Sequence, residues 1–220
     1  MTGKMFSCFC VSMFVWPVML SGCGSRQAYN KKYFLLSATR QAQPAGIQTD
    51  LVLEVRRFTI DSAFAGKGLV YRTGQFEYES DFYSEFLVSP AAMITEKTRN
   101  WLSGSGLFKR VLDTASQIDP THTLEANITA LYGDLRDKSS PQAKMEMRVF
   151  LLKAQAAEEP ILVFGQTYKS SVGIESEGPE GLVEALDRCL ANILSNLEKD
   201  LAQKHAGATV SVSNISSLKL

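Results

Sequence analysis

Near its middle the chain reads Thr123-Leu124-Glu125-Ala126-Asn127-Ile128-Thr129-Ala130-Leu131-Tyr132. Apolar and polar residues alternate along most of this stretch, which is typical of a strand with one buried and one solvated face. The alternation predicts that one set of side chains faces the core, namely Leu124, Ala126, Ile128, Ala130 and Tyr132.

Two further strands follow this one. One begins with Met145, Met147, Val149 and Leu151, and the other covers residues 161–168. Three strands in succession with turns between them favour an antiparallel meander. Earlier in the chain, residues 33–36, 51–60 and 107–112 also have the composition of strands.

An aromatic hairpin is predicted between these early strands and the meander. Residues 69–72 and 75–79 flank Thr73-Gly74, which we interpret as a two-residue turn. Its aromatic content is high, and alternation places part of it on the outer face. Exposed aromatic rings on a sheet indicate contact with protein or lipid more often than catalysis.

Two helices are predicted. Ser89-Pro90 starts the first, because Ser can cap free amides and Pro fits the first helical position. Its apolar face is Ala91, Ile94, Thr98, Trp101 and Leu102, and it ends near Gly104.

The second helix opens at Gly178-Pro179-Glu180 and ends near His205. It has an apolar stripe made of Leu182, Leu186, Cys189, Leu190, Ile193, Leu197 and Leu201. We expect its outer side to carry Glu184, Asp187, Arg188, Glu198 and Lys199. The predicted fold class is therefore α/β, with a mixed, largely antiparallel sheet and two main helices packed on one side.

The N-terminus resembles a bacterial export signal, with Lys4 followed by an apolar stretch and small residues. Pro17 interrupts this stretch, which is shorter than the ~20 apolar residues of a spanning helix. It ends at Leu20-Ser21-Gly22-Cys23, which resembles the lipobox of bacterial lipoproteins. In that motif the peptidase recognises the small residues and the Cys thiol carries the acyl lipid. The alternative is an ordinary Cys after a secretory signal.

The expected organisation is a signal peptide (1–22), a lipidated tether (23–32), one domain (33–205) and a flexible tail (206–220). A minority interpretation of the tail is a strand bound to a partner. The chain carries 23 basic and 23 acidic residues, so its charge does not favour nucleic acid as a partner. Cys189 is the only cysteine after Cys23, and we expect a buried, unreactive side chain there.

The sequence offers little for catalysis. It contains two histidines, His122 and His205, and neither has a second ligand at metal-binding spacing. No Gly-x-Ser-x-Gly motif is present. We therefore predict no catalytic residues, no metal and no cofactor apart from the acyl lipid on Cys23. A Ser-His-acid arrangement assembled around His122 by the fold stays open as the enzyme alternative.

Several segments together resemble the ABC-type transport auxiliary lipoprotein family, which includes PqiC. They are Tyr33-Phe34-Leu35-Leu36, Gly68-Leu69-Val70-Tyr71-Arg72, the strand around Tyr78, and Ser89-Pro90 with Trp101-Leu102. The resemblance spans roughly residues 33–202. It implies a non-catalytic subunit that is anchored in the outer membrane, faces the periplasm and works with an MCE-domain protein and an inner-membrane ABC transporter to move lipids or other hydrophobic molecules.

From the aromatic segments and this resemblance we predict a partner-binding surface that includes Phe64, Gly68, Tyr71, Arg72 and Tyr78. The protein would act as a tethered adaptor for the channel protein. Two other functions stay open: an envelope enzyme, and a direct lipid carrier with a cavity between sheet and helices. The sequence leaves the transported molecule and self-association into a homo-oligomer undecided.

Overall fold

A computed structural model describes residues 30–43, 49–155 and 158–216, with residues 205–216 described as backbone only. The predicted signal peptide, Leu20-Ser21-Gly22, the lipidation site Cys23 and most of the tether lie outside the described residues.

The domain contains a sheet and two long helices. The helices are α1 (Pro90–Ser103) and α2 (Gly178–Ser216), and one turn of 3-10 helix covers Ser62–Phe64. The strands are β1 (Lys32–Phe34), β2 (Val52–Val55), β3 (Thr59–Ile60), β4 (Gly68–Arg72), β5 (Tyr78–Phe86), β6 (Arg110–Leu112), β7 (His122–Asp134), β8 (Gln142–Lys153) and β9 (Ile161–Gly173).

β7 is the strand on which the sheet is organised. Along one edge it pairs antiparallel with β8, and β8 pairs antiparallel with β9. Along its other edge it pairs in parallel with β2, β3 and β4, one after another. β6 then lies beside β2, β5 lies beside β4, and β1 lies beside β5. The longest pairs are antiparallel, so the predicted meander and the predicted mixed sheet are confirmed.

A β-bulge in β7 corrects one prediction. The register with β8 shifts between Ile128 and Ala130, so the side chains after this point change faces. Leu131 is therefore buried in the core, whereas Ala130 and Tyr132 are only partly buried. Strict alternation predicted the correct face as far as Ile128 and the wrong face beyond it.

The early strands are shorter than predicted. Residues 51–60 form β2 and β3 with a break between them, because each pairs with a different part of β7. In residues 107–112 only the last three form a strand, β6, and Leu107 and Phe108 are core residues in the preceding loop. The apolar character of Leu107 and Phe108 therefore reflects their burial in a loop and does not indicate a strand.

The hairpin of β4 and β5 is confirmed, but its two-residue turn is not. The connection runs from Thr73 to Glu77, and the amide of Thr73 donates to the carbonyl oxygen of Glu77 at 3.1 Å. Gln75 and Phe76 therefore lie in the loop, and 89% of Phe76 is exposed.

Both helices pack on one side of the sheet. α2 contacts β7, β8 and β9, whereas α1 contacts β2, β6 and α2. α1 begins after Ser89 with Pro90 as its first residue and ends at Gly104, as predicted, but the Ser89 side chain makes no capping hydrogen bond. Every residue of its predicted apolar face is buried: Ala91, Ile94, Thr98, Trp101 and Leu102.

The predicted stripe of α2 is also buried in full, from Leu182 to Leu201. Burial of one leucine side chain contributes about 1.5–3 kcal/mol, so this helix supplies much of the core. Cys189 lies within the stripe with its thiol against the carbonyl oxygen of Ala143 at 3.5 Å, and burial raises its pKa. This confirms the expected buried cysteine.

Asp187 and Glu198 were predicted to lie on the outer side of α2, but both contact other parts of the domain. Asp187 Oδ1 accepts hydrogen bonds from the amides of Ser37 and Ala38 at 2.5 and 2.7 Å. Glu198 accepts hydrogen bonds from Arg40 and from the indole of Trp101. The segment after β1 crosses α2 here, so both carboxylates hold it in place.

The observed helix is also longer than predicted. α2 ends at Ser216, whereas the sequence indicated an end near His205. Residues 206–216 therefore have helical backbone, and residues 217–220 lie outside the described part. The flexibility of this tail stays a prediction.

Candidate functional site

The five residues of the predicted partner-binding surface do not form one cluster. Phe64, Arg72 and Tyr78 lie together on the sheet face opposite the helices, which we call the open face. Gly68 and Tyr71 lie elsewhere. The two neighbours Tyr71 and Arg72 separate because consecutive side chains of a strand point to opposite faces.

Three aromatic rings form the centre of the open-face group. Phe64 stacks on Tyr132 with 5.8 Å between ring centroids, and Tyr78 meets Tyr132 edge to face at 5.6 Å. We call Phe64, Tyr78 and Tyr132 the aromatic cluster. Pairs of this geometry contribute about 0.5–1.5 kcal/mol each beyond simple burial. Phe64 is itself buried, with only 8% of it exposed, whereas 46% of Tyr78 remains exposed.

Arg72 extends this cluster toward solvent. Its guanidinium carbon lies 5.4 Å from the centroid of the Tyr78 ring, a cation–π arrangement. The same guanidinium donates hydrogen bonds to the carbonyl oxygens of Gly74 and Gln75 at 3.3 and 2.6 Å. One side chain thus orients both the tyrosine ring and the hairpin loop, and presents a cation next to an exposed aromatic surface.

A charged pair lies beside the cluster, at the end of β7. Arg136 donates two hydrogen bonds to the buried carboxylate of Asp134, at 2.8 and 2.7 Å, and Lys144 is 3.6 Å away. The hydrogen bonds from Arg136 lower the pKa of Asp134 to about 2. The carboxylate is therefore ionised at neutral pH and fixes Arg136 near the aromatic rings.

The rest of the open face around Tyr132 is polar. A groove of about 260 Å³ is lined by Ala130, Tyr132, Lys144, Glu146 and Lys169. Glu146 and Lys169 form an ion pair at 2.9 Å. The aromatic cluster is thus an apolar centre with a charged rim, which is the common composition of a protein–protein contact.

Gly68 has a structural role in the strand pair. A Cβ atom there would overlap the Ser80 hydroxyl and lie 2.7 Å from the carbonyl oxygen of Asp81. β5 passes close to β4 at this point because it bulges between its pairing with Gly68 and its pairing with Val70. The glycine therefore permits the bulge.

Tyr71 points to the helix side of the sheet. Together with Leu135, Ile174 and Leu182 it lines a groove beside the start of α2. Burial, with a smaller effect from Asp81, raises the pKa of Tyr71 to about 12. Its ring belongs to the packing between sheet and helix rather than to the aromatic cluster.

Sequence reasoning missed Tyr132, Asp134 and Arg136 as members of this surface. The alternation placed Tyr132 in the core, and the bulge after Ile128 reverses that assignment. A sequence signal existed only for the charged pair, because Asp134 and Arg136 lie two residues apart at the end of a strand. The position of Arg136 near Tyr78 and Tyr132 depends on the tertiary fold.

His122 is the residue on which the enzyme alternative depends. Its Nδ1 lies 3.1 Å from the hydroxyl of the adjacent Thr121. The groove that contains it is lined by Leu51, Leu151, Lys153, Val163, Phe164 and Lys204. The lining that the described residues give this groove is therefore apolar and basic.

The carrier alternative requires space between sheet and helices. Among the described residues, Leu186, Leu190, Ile193 and Leu197 fill that region along the middle of α2, each at most 1% exposed. Beside the start of α2 the groove lined by Tyr71 and Leu182 remains. The described residues also contain no group of three His, Cys, Asp or Glu side chains that could hold a metal ion. No helix within these ranges is long and apolar enough to cross a membrane.

Solved structures share this fold. The crystal structure of protein XCC0632 from Xanthomonas campestris, assigned to family model DUF330, matches with a TM-score of 0.70 and 14% identity, over 81% of this chain and 99% of that chain. A crystal structure described as an uncharacterized protein matches with a TM-score of 0.53 and 15% identity, over 78% and 99% of the two chains. At these identities the likeness shows a common fold only.

Sequence comparison is more specific about the family. No curated protein sequence matches the chain. A family model described as ABC-type transport auxiliary lipoprotein component matches residues 33–198. This range includes β2 to β9, α1 and the part of α2 up to Glu198. This chain therefore belongs to the family of ABC-type transport auxiliary lipoprotein components.

Proposed function

We propose that the protein is a non-catalytic, outer-membrane lipoprotein subunit of an MCE/ABC-type transport system for lipids or other hydrophobic molecules. It acts as a periplasm-facing adaptor: Cys23 carries the acyl anchor, the following residues supply reach, and the domain binds the MCE-domain channel protein. Family membership supports a role in ABC transport. The lipobox-like Leu20-Ser21-Gly22-Cys23 supports the acyl anchor. The residue after Cys23 is Gly24 and not Asp, which in enteric-type lipoproteins is associated with sorting to the outer membrane, and this supports the outer-membrane position.

One observation supports the proposed binding role of the domain most directly. Tyr78 is half exposed, and Phe64, Tyr132 and Arg72 hold it in a fixed position on the open face. A rigid aromatic side chain with a neighbouring arginine binds a partner at low entropic cost, and these residue types dominate the binding energy of protein interfaces. The charged rim formed by Asp134, Arg136 and Lys144 gives such an interface its orientation.

The acyl anchor explains how a small binding surface can be sufficient to keep the adaptor with its channel protein. A single acyl chain binds a bilayer only marginally, whereas two or more hold a protein stably. Confinement to a membrane surface raises the effective concentration of the adaptor for its partner without further contacts. The adaptor therefore needs only a small exposed cluster to remain with its channel.

A photo-crosslinking amino acid at position 78 tests this proposal in intact cells. We expect covalent capture of the MCE-domain protein from position 78. The matched control places the same amino acid at Val163, an exposed position on the distant edge strand β9, and should capture little of it. Equal capture from both positions, or capture of a soluble substrate complex alone, would contradict the proposal.

A further inference from the structure

A second apolar surface lies at the opposite edge of the sheet from β9. It consists of exposed side chains on β1 and β5 and on the residues that directly follow these two strands: Tyr33, Leu35, Phe82, Tyr83, Leu87 and Val88. We call these residues the edge patch. β1 pairs with β5 only, so its outer edge has no strand beside it in the described part of the chain. Clustered apolar side chains of this kind indicate a contact surface.

The fold holds the rings of the edge patch outward. Gly68 of β4 lies opposite Glu85 of β5, whereas Val70 lies opposite Ser80. Over this stretch β5 has several more residues than β4, so it forms a large bulge. The carboxylate of Asp81 accepts hydrogen bonds from the amides of Tyr83 and Ser84 at 2.7 and 3.0 Å and fixes this bulge. Phe82 and Tyr83 project from it and meet edge to face at 5.2 Å.

The edge patch is also the part of the domain closest along the chain to the lipidation site. Lys31 lies 4.4 Å above the Phe82 ring and pairs with Glu85 at 2.5 Å. Lys31 follows Cys23 by eight positions, and an extended chain spans at most ~3.5 Å per residue. The backbone of Lys31 therefore stays within about 28 Å of the anchored residue.

The chemistry of the patch fits the boundary between headgroups and acyl chains. Tyrosine rings combine an apolar body with a polar tip and collect at membrane interfaces. Lysines beside them can extend their charged ends into the headgroup layer. Lys31 and Lys32 both lie at the start of β1, and their ion pairs with Glu85 and Glu180 leave apolar contact as the main attraction.

We propose that the edge patch docks on the bilayer to which Cys23 is attached, with Tyr33, Phe82 and Tyr83 entering the interfacial layer. This inference rests on the proposed acylation of Cys23. Docking would give the attached domain a defined orientation, with the β1 edge on the membrane. The aromatic cluster, which begins at the other end of β5, then remains accessible to the channel protein.

Tryptophan fluorescence in vesicles tests the docking. The mature acylated protein, which begins at Cys23 and carries Phe82→Trp, is reconstituted into vesicles of phosphatidylethanolamine and phosphatidylglycerol in which part of the lipid has brominated acyl chains. Phe76→Trp is the matched control, because Phe76 is a more exposed aromatic residue in the β4–β5 loop. Trp101 is buried and gives the same background in both variants. We expect at least twofold quenching of the tryptophan introduced by Phe82→Trp and little change for the one introduced by Phe76→Trp.

The outcomes separate this inference from the proposed function. Acylated protein that floats with the vesicles but shows equal quenching in both variants overturns the docking and leaves the anchor intact. A mature chain with an unmodified Cys23, shown by mass spectrometry, overturns the anchor and the docking together. If Phe82→Trp fails to fold, Tyr83→Trp replaces it with the same expected result. A photo-crosslinker at position 33 that captures protein and no lipid assigns the patch to a protein partner and overturns the docking.

Discussion

The carboxylate of Glu198 on α2 accepts a hydrogen bond from the indole nitrogen of Trp101 on α1, at 2.8 Å. The same carboxylate receives two hydrogen bonds from Arg40, at 2.8 and 2.7 Å. One acidic side chain therefore joins the two helices to the segment that follows β1. Both members of the ion pair are largely buried, with 9% and 14% of their side chains exposed.

Replacement of Glu198 by Ala should destabilise the domain by about 3 kcal/mol, because it leaves the Arg40 charge and the Trp101 N–H buried without their acceptor. Urea unfolding followed by circular dichroism measures this change. Glu184→Ala, at an exposed position on the same helix, is the control and should change the free energy of unfolding by less than about 0.5 kcal/mol. Equal effects of the two variants would mean that the Glu198 contacts do not stabilise the fold.

Gly68→Ala should destabilise the domain by about 1–3 kcal/mol, because its Cβ would press on Ser80 and Asp81 in the bulge of β5. Gly66→Ala is a close control, since no atom lies within 4 Å of a Cβ added there. Thermal unfolding of both variants gives the comparison. A wild-type melting temperature for Gly68→Ala would show that the bulge can move without cost.

The ion pair between Asp134 and Arg136 should make stability depend on pH. The folded-state pKa of Asp134 is about 2, below its ordinary value of 3.8, so the contribution is complete above about pH 5 and is lost as the pH falls toward 2. Because Arg136 is partly exposed, solvent screening reduces this contribution to about 1 kcal/mol.

Urea unfolding at pH 7 and at pH 2.5 tests this dependence. Asp134→Asn should be less stable than wild type by about 1 kcal/mol at pH 7, and the difference should shrink at pH 2.5. Asp50→Asn, at a side chain that is 98% exposed, should differ from wild type by less than about 0.5 kcal/mol. A difference for Asp134→Asn that stays constant with pH would exclude the ion pair as its cause.

Acylation of Cys23 predicts that labelled palmitate is incorporated into the wild-type protein and not into Cys23→Ser. Thioether formation requires a thiol, so serine cannot replace the cysteine. Cys189→Ser should keep the label, because the Cys189 thiol is buried in the core. Equal labelling of wild type and Cys23→Ser would end the lipoprotein interpretation of this residue.

His122→Ala separates the adaptor from the envelope enzyme. An adaptor should retain full complementation of a deletion strain, since the groove around His122 lies away from the aromatic cluster. The matched test in the same strain is Arg72→Ala combined with Tyr78→Ala, which should reduce co-purification of the channel protein at least tenfold if this pair is central to the interface. Loss of complementation by His122→Ala, with normal folding and normal partner capture, would favour the enzyme.

Local sequence patterns predicted the helices and strands that have a regular period of apolar residues. Periodicity correctly placed the stripe from Leu182 to Leu201 and the three strands of the meander, and the Ser89-Pro90 pair correctly placed the start of α1. The residues of a helix or strand carry the period of that element whatever lies across from it, so these features can be read without tertiary information.

The candidate site depended on information that no local pattern contains. The bulge after Ile128 moves Tyr132 out of the core, and only then do Phe64 and Tyr78 meet it. Asp187 and Glu198 likewise had the spacing of solvated residues until the segment after β1 crossed α2 and supplied donors to both. Periodicity reports which side of an element is apolar. Pairings between residues far apart in the chain depend on where the whole chain passes, and those pairings built the surface proposed here for binding.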